Sequence, residues 1–511
     1  MDIAELAAVA GALGAVLVLA GESRRALLGG LVLLALAELG LAGSLSGGGL
    51  GDAFSPAVAG AGLLAALALG AAAWFLVRRP GLVPVLVLLA APFRLPLDFD
   101  RSNALFVSIA DDGQLGRLLP LYFVLAAAVL ALVWRVARER EQPRGLPRMI
   151  ALPTAAFVGF ACISLLWAQD LDAGRDLLAY FTVPFAALLA VVARSPFPDW
   201  LPRALARVAI GLAALFAAIG LFQAAIGELF FFAPKLEITN ANSDYFRVTS
   251  LFVDPSLYGR HVVLGLGVLL VVLALGRIGP KLGVALVALM FGGLVFSYSQ
   301  SSMITLIVIV IALGIALGDR VLRRAAIVVS AVLVLGLAGF FILSAVEGDS
   351  LRRQTSDRSD RIEDTARVIE RDPIAGVGIG GQPRATRRLV RRDQSTKAFV
   401  SHTTPLTVAA ELGAVGLVLY VWLLVGGARL IEHVRRREAG LGLGLGVVFL
   451  GLFVHALGYS GFLEDPITWV VLAIGAAFLM SLPEPSAVER ARERAKDHTT
   501  SPESSAAPGP A

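Results

Sequence analysis

The sequence predicts an all-α fold: a polytopic transmembrane helical bundle of about 14–15 spans, with one large extracytoplasmic loop containing short helices. Three observations predict it. The 511 residues are 57% hydrophobic and 16% charged, with a mean hydropathy of +0.78, whereas soluble domains run roughly 45–50% apolar and about 25% charged. The apolar residues gather in runs close to the ~20 residues that cross a bilayer. The basic residues gather in every second loop between those runs. A soluble enzyme is excluded, and the chain reads as one membrane domain.

The apolar runs lie near residues 3–20, 26–45, 57–77, 81–93, 118–135, 151–168, 177–193, 204–226, 257–275, 282–297, 302–317, 325–345, 404–426, 440–458 and 467–482. The run at 81–93 is short and carries Pro84 and Pro92, and 282–297 is barely long enough, so the count loses one or two there. Met1–Leu6 has no basic n-region, so the first span is expected to be retained rather than cleaved. Arg24/Arg25, Arg78/Arg79, the 135–148 stretch, Arg194 to Arg207, Arg277/Lys281, Arg320 to Arg324 and Arg429 to Arg437 mark cytoplasmic loops by the positive-inside rule. The N-terminus is then outside. The expected organisation is N-terminal transmembrane helices over 1–345, a large extracytoplasmic loop over 346–402, C-terminal transmembrane helices over 403–482 and a disordered cytoplasmic tail over 483–511, rich in Pro and Ser. The single Cys162 lies in an apolar run, which excludes an intramolecular disulfide and a thiolate metal cluster. The net charge of +5 reports on topology, and no nucleic-acid partner is expected.

One loop breaks the charge trend. Residues 346–402 carry eleven Arg and one Lys against nine Asp or Glu, yet they fall on the outer side. Within it, SDRIEDTARVIERDP reads as an amphipathic helix with Ile362, Ala366 and Ile369 on its apolar face and Pro373 stopping it. Such a helix can lie along a membrane surface. Further on, RATRRLVRR places Arg384, Arg387, Arg388, Arg391 and Arg392 at helical spacing, which gathers five guanidiniums on one face about 12 Å long. That stripe suits anionic lipid headgroups, plain solvation or a pyrophosphate, since arginine pairs bidentately with phosphate oxygens.

The motifs that imitate nucleotide sites do not have the surroundings those sites need. Gly376-Val-Gly378-Ile-Gly380-Gly381 matches G-x-G-x-x-G but follows no strand, so a backbone turn permitting close approach to a ligand is the expected role. Asp98-Phe-Asp100 and Asp170-Leu-Asp172 fall in outer loops without an α/β domain and are expected to be solvated loop residues. No P-loop, H-E-x-x-H or cysteine–histidine metal spacing occurs. Of the five histidines, His433 and His498 fall on the cytoplasmic side and His455 is mid-span. His261 opens a span beside Arg260, and His402 sits in Ser401-His402-Thr403-Thr404-Pro405, where the large loop enters the membrane. An interfacial histidine is neutral enough at pH 7 to accept a proton, although many such residues only pack.

Taken in order over about 240–425, these pieces resemble the O-antigen ligase and polymerase superfamily of membrane glycosyltransferases. Arg247-Val-Thr-Ser-Leu-Phe252-Val-Asp-Pro255-Ser256 is similar to the family's Arg…Phe…Pro-Asn opening, with Ser256 in place of asparagine. Ser299-Gln300-Ser301-Ser302 stands where a Ser-Arg pair is common. Arg361 followed by Asp372-Pro373-Ile-Ala-Gly376-Val-Gly378 resembles Arg…Pro-Leu-Leu-Gly-x-Gly. Ser401-His402-Thr403 through Ala410-Glu411-Leu412-Gly413-Ala-Val-Gly416-Leu417 is similar to His-Asn…Glu-Leu-Gly-x-x-Gly-Leu, with Thr403 for the asparagine.

The resemblance implies a donor glycan on polyprenyl pyrophosphate, a glycan or lipid hydroxyl as acceptor, and contact with membrane lipids. It implies no cofactor and no metal, because the donor is already activated, and it places the protein in the bacterial cytoplasmic membrane with its active face outside. On this reading His402 takes the acceptor's proton and Arg361 and Arg247 stabilise the departing pyrophosphate, with Arg260 as a third donor and Arg387, Arg388 and Arg391 binding the same group. Ligase and polymerase are not distinguished. The alternative is a transporter or flippase of a lipid-linked glycan, which would place ionisable residues at mid-membrane; Glu38 and His455 are the few such residues here.

Overall fold

Runs of Ala, Leu, Val and Gly become helices here because in hydrocarbon every backbone N–H and C=O needs a partner within its own segment. The computed structural model describes residues 2–45, 56–93, 97–98, 106–107, 118–138, 143–230, 234–243, 245–252, 254–318, 324, 327–328, 331, 358–389, 401, 403–459 and 461–483. The helices in chain order are α1 (Ile3–Ala20), α2 (Arg24–Leu45), α3 (Pro56–Arg78), α4 (Val83–Ala90), α5 (Leu119–Arg138), α6 (Arg148–Ile163), α7 (Leu171–Leu177), α8 (Val183–Ala193), α9 (Leu201–Ile226), α10 (Pro234–Ala241), α11 (Pro255–Ala274), α12 (Pro280–Val295), α13 (Gln300–Ala316), α14 (Arg358–Arg371), α15 (Gln382–Leu389), α16 (Thr404–Arg437), α17 (Ala439–Ala456) and α18 (Pro466–Ser481). The only strand pairing among the described residues is a two-residue antiparallel ladder, Leu97–Asp98 against Phe106–Val107.

Among the described residues nine helical segments are long and apolar enough to cross a membrane, counting α6 with its continuation to Trp167 as one and α7 with α8 as one (Leu171–Ala193), or ten if α3 and α4 form one broken span, and α12, α13 and α18 are shorter apolar helices. The short run expected at 81–93 is explained by this break. Pro80 opens a 3-10 turn, and the two helices meet at 105°. A proline has no N–H to continue a helix, so the chain turns there. The expected span at 325–345 and the tail from 484 lie almost wholly outside the described residues.

Packing divides the bundle into two apolar clusters. In the first, α1 packs on α2 and α6, α6 on α16, and α8 on α18; in the second, α9 packs on α11 and α12. Helix α17 joins them, giving Leu445 and Leu452 to one cluster and Val447 to the other. A third, small cluster of Val368, Val377, Ala385 and Ala410 seats the loop helices on α16.

That seat depends on a break in a membrane helix. Gly413 takes φ 63° and ψ −165° within α16, a conformation open essentially to glycine alone. The backbone groups freed by the break are satisfied by residues 373–378. Val377 N–H donates to the Ala410 carbonyl at 3.0 Å and Gly378 N–H to that of Glu411 at 2.8 Å, while Ala414 and Val415 donate to the carbonyls of Pro373 and Ile374 at 2.8 and 3.2 Å. Irregular backbone within a bundle is tolerated when it is buried in protein and paired in this way. The same loop reaches α6 and α7: Ile379 N–H donates to Ser164 Oγ at 3.2 Å, and Gln169 N–H to the Val377 carbonyl at 2.9 Å. The glycine run is a backbone turn as expected, but the close approach it permits is to α16 and the α6–α7 segment in place of the expected ligand, and it docks the loop onto the bundle.

Helix α14 ends at Arg371, just before Pro373 as expected, but its buried face differs from the expected one. Thr365 and Val368 are buried, while Ile362 is 46% exposed. The polar Thr365 turns inward because it has a hydrogen-bonding partner there, described next.

Candidate active site

The segment leading into α16 is held from two directions. On the loop side, the Gln382 side chain at the start of α15 is buried. Its Nε2 donates to Thr365 Oγ1 at 2.8 Å, and its Oε1 accepts from the Ser401 N–H at 3.2 Å. Thr365 in turn donates to the carbonyl of Arg361, one turn back in α14. Ser401 is fully buried; its hydroxyl donates to the Thr403 carbonyl at 2.9 Å and accepts from the Thr403 N–H at 3.3 Å. One buried amide thus joins α14, α15 and the residue preceding His402.

On the membrane side, the Thr404 hydroxyl accepts from the N–H groups of Gly461 and Phe462 at 3.3 and 3.4 Å. The Gly461 carbonyl accepts from Arg260 Nη1 at 3.4 Å. Arg260 pairs with Asp465 at 3.1 Å, each side chain only 2% exposed. Asp465 also caps α18 by accepting from the Ile467 N–H at 2.9 Å. Beside this pair, Glu464 Oε2 is sealed from solvent without a hydrogen-bond partner. Burial holds the Glu464 carboxyl above the usual carboxylate range; Arg260 opposes that shift and Asp465 adds to it.

Arg247 stands on a separate support. The Asn240 amide clamps its backbone, donating to the Arg247 carbonyl and accepting from the Arg247 N–H, both at 3.0 Å. Its own Nε donates to the Ser297 carbonyl at 3.3 Å. The following motif Asp254-Pro255-Ser256 is a helix start: Asp254 accepts from the Ser256 and Leu257 N–H groups, and Pro255 takes the first turn of α11. Next to it, His261 stacks on Phe252 with ring centroids 4.6 Å apart. There an apolar cavity of about 140 Å³ begins, running between α9, α11, α17 and α18 from Phe216 and His261 to Arg277 and Gly440. His261 to Leu275 is about 21 Å of helix, two-thirds of a hydrocarbon core.

Arg384, Arg387 and Arg388 lie on the exposed face of α15, with Ala385 buried behind them. Arg384 reaches Asp170 at 3.9 Å and Arg388 reaches Gln169 at 3.5 Å. Asp170 is itself the N-cap of α7, so the second D-x-D opens a helix. His402, Arg391, Arg392 and Asp100 lie outside the described residues. Of the expected site residues, Arg361 is joined through Thr365 and Gln382 to Ser401, and Arg260 through Gly461 to Thr404, so both are linked to the flanks of position 402. No such chain connects Arg247 among the described residues. Sequence reasoning missed Gln382, Asn240 and Asp465. The Asp-Pro pair at 465–466, a helix-start signature, was the one available signal.

Residues 285–421 match the family model described as O-Antigen ligase. Over this segment the chain is O-antigen ligase-like. No curated protein matches the chain. The O-antigen ligase-like segment runs from α12 into α16 and takes in Arg361, the docked glycine turn, Gln382, α15, His402 and the Gly413 break, whereas Arg247 and Arg260 precede it. The match supports a multi-pass membrane glycosyltransferase of the ligase or polymerase kind.

Proposed function

We propose that the protein transfers a glycan from a polyprenyl-pyrophosphate donor to an acceptor hydroxyl at the outer face of the bacterial cytoplasmic membrane. The observation that carries the reading is that Ser401 and Thr404 are fixed from both sides, around His402 and against the start of α15, within the O-antigen ligase-like segment. The acceptor oxygen attacks the anomeric carbon as the sugar–phosphate bond breaks, and the bonding pair leaves with the pyrophosphate. The proton of the acceptor hydroxyl passes to His402, a step worth typically 10²–10⁴-fold. Direct attack inverts the anomeric carbon.

Arg361 and Arg247 stabilise the charge that develops on the leaving group, and Arg387, Arg388 and Arg391 hold the same pyrophosphate as a basic surface. We give Arg260 a supporting role, since its guanidinium is buried against Asp465 and direct contact with donor would require it to abandon that partner. The apolar cavity below His261 suits a single hydrocarbon chain and takes the polyprenyl tail.

Purified protein in vesicles, supplied with polyprenyl-pyrophosphate glycan and acceptor, tests the proposal. Free polyprenyl pyrophosphate and extended acceptor are expected. His402→Ala and Arg361→Ala should each abolish transfer while the protein still inserts, and Arg361→Lys should remain poor because it loses the bidentate fork. Full activity in both alanine variants would sink the assignment, and relocation of intact lipid without cleavage would favour the transporter reading.

A further inference from the structure

The opposite end of the bundle carries a feature that glycan transfer does not use. Helices α3 and α5 pack against each other, and a cleft of about 890 Å³ lies between Gly70–Arg78 of one and Leu130–Arg138 of the other. Buried Ala73 and part-buried Val77 and Val133 give it an apolar floor. Two large rings form its rim, Trp74 at 58% and Trp134 at 53% exposure. The Arg78 guanidinium lies 4.0 Å from the centroid of the Trp74 ring, and Arg138 lines the facing wall. Among the described residues no carboxylate pairs with either arginine. Both belong to basic clusters that mark the cytoplasmic side by charge.

We propose that this cleft binds an anionic glycerophospholipid of the cytoplasmic leaflet, with its phosphodiester between Arg78 and Arg138 and an acyl chain along the apolar floor. Two guanidinium forks on facing walls match the oxygens of one phosphate. Exposed indole rings are at home at the headgroup level, and basic pockets between helices on this side of a membrane select anionic headgroups. An inorganic anion would use the arginines but leave the apolar floor unfilled, so the cleft as a whole fits a lipid.

Native mass spectrometry of the full-length protein in detergent, titrated with phosphatidylglycerol, phosphatidylcholine or inorganic phosphate, tests this. Phosphatidylglycerol adducts should survive where the other two do not. The double variant Arg78→Gln/Arg138→Gln should weaken them on the order of tenfold to thirtyfold, at about 1 kcal/mol for each basic residue. Arg78→Lys/Arg138→Lys, which keeps the charge, should fall in between and serves if the glutamine variant does not fold. Arg203→Gln/Arg207→Gln, exposed at the same end but outside the cleft, should bind as the wild type does. Equal retention of the two lipids, equal loss in the Arg203/Arg207 control, or phosphate competing as well as lipid would each overturn the proposal.

Discussion

Replacing Gln382 by alanine removes the amide that ties α14 and α15 to the entrance of α16. Two hydrogen bonds go, one to Thr365 Oγ1 at 2.8 Å and one from Ser401 N–H at 3.2 Å. Ser401 is fully buried, so its N–H is left unsatisfied, which costs about 1–3 kcal/mol. The Thr365 hydroxyl still donates to the Arg361 carbonyl and loses only an incoming bond, worth roughly 0.5–1.5 kcal/mol. A local loss of about 2 kcal/mol is a factor of roughly thirty in an opening equilibrium. Amide exchange across 401–404 should therefore speed up by that order in Gln382→Ala. Thr365→Val, which leaves the Ser401 bond in place, should show only a few-fold change there. Because the effect is on position and not on donor contact, kcat for glycan transfer should fall with KM nearly unchanged. Unaltered exchange at 401–404 in the purified variant would refute the idea that this amide fixes the segment.

Asp465→Asn leaves the Arg260 guanidinium buried without its counter-charge and should destabilise the protein by about 3–5 kcal/mol in thermal unfolding, whereas Arg260→Met/Asp465→Leu should recover most of the loss. Gly413→Ala places a Cβ against the carbonyl of Ile374 in a conformation reserved for glycine, and a loss of at least ~1–3 kcal/mol should accompany proteolytic release of the 373–381 loop. Glu464 should make stability depend on pH. Its folded value is raised, so its contribution is intact below the ordinary carboxylate value of 4.5 and is lost as pH rises from there through the raised value. Glu464→Gln should flatten that decline, and an identical slope in the variant would show that another group titrates.

The spans were legible because hydrophobic length is a property of the sequence itself, and the bend at Pro80 was foreshadowed by the shortness of the run after it. The ends of α14 were legible from Pro373, but not its buried face. Periodicity favoured Ile362, while Thr365 is buried because Gln382, seventeen positions on, offers it a hydrogen bond. Arg260 illustrates the same gap. Beside His261 at the start of a span it reads as a free cation, and only the fold brings Asp465 to it from the far end of the chain. The glycine run was legible as a turn, yet nothing local shows that it fills a break at Gly413, because complementary hydrogen bonding between distant segments has no period.

These long-range links carry the argument about the site. Ser401 and Thr403, on either side of position 402, belong to no helix or strand, and a base proposed at that position needs its flanks held. Two independent hydrogen-bonded chains restrain that stretch: Arg361, Thr365, Gln382 and Ser401 on the loop side, and Asp465, Arg260, Gly461 and Thr404 on the membrane side. The first chain runs through the main-chain carbonyl of Arg361, so the helix that carries this arginine and the residue preceding His402 share one scaffold. The second anchors the stretch to α11 and to the start of α18, which both line the apolar cavity, and so ties a flank of position 402 to the site proposed for the lipid tail. A misplacement of about 1 Å at such a centre can cost 10²-fold in rate, which is reason enough for a loop segment to be held from both ends.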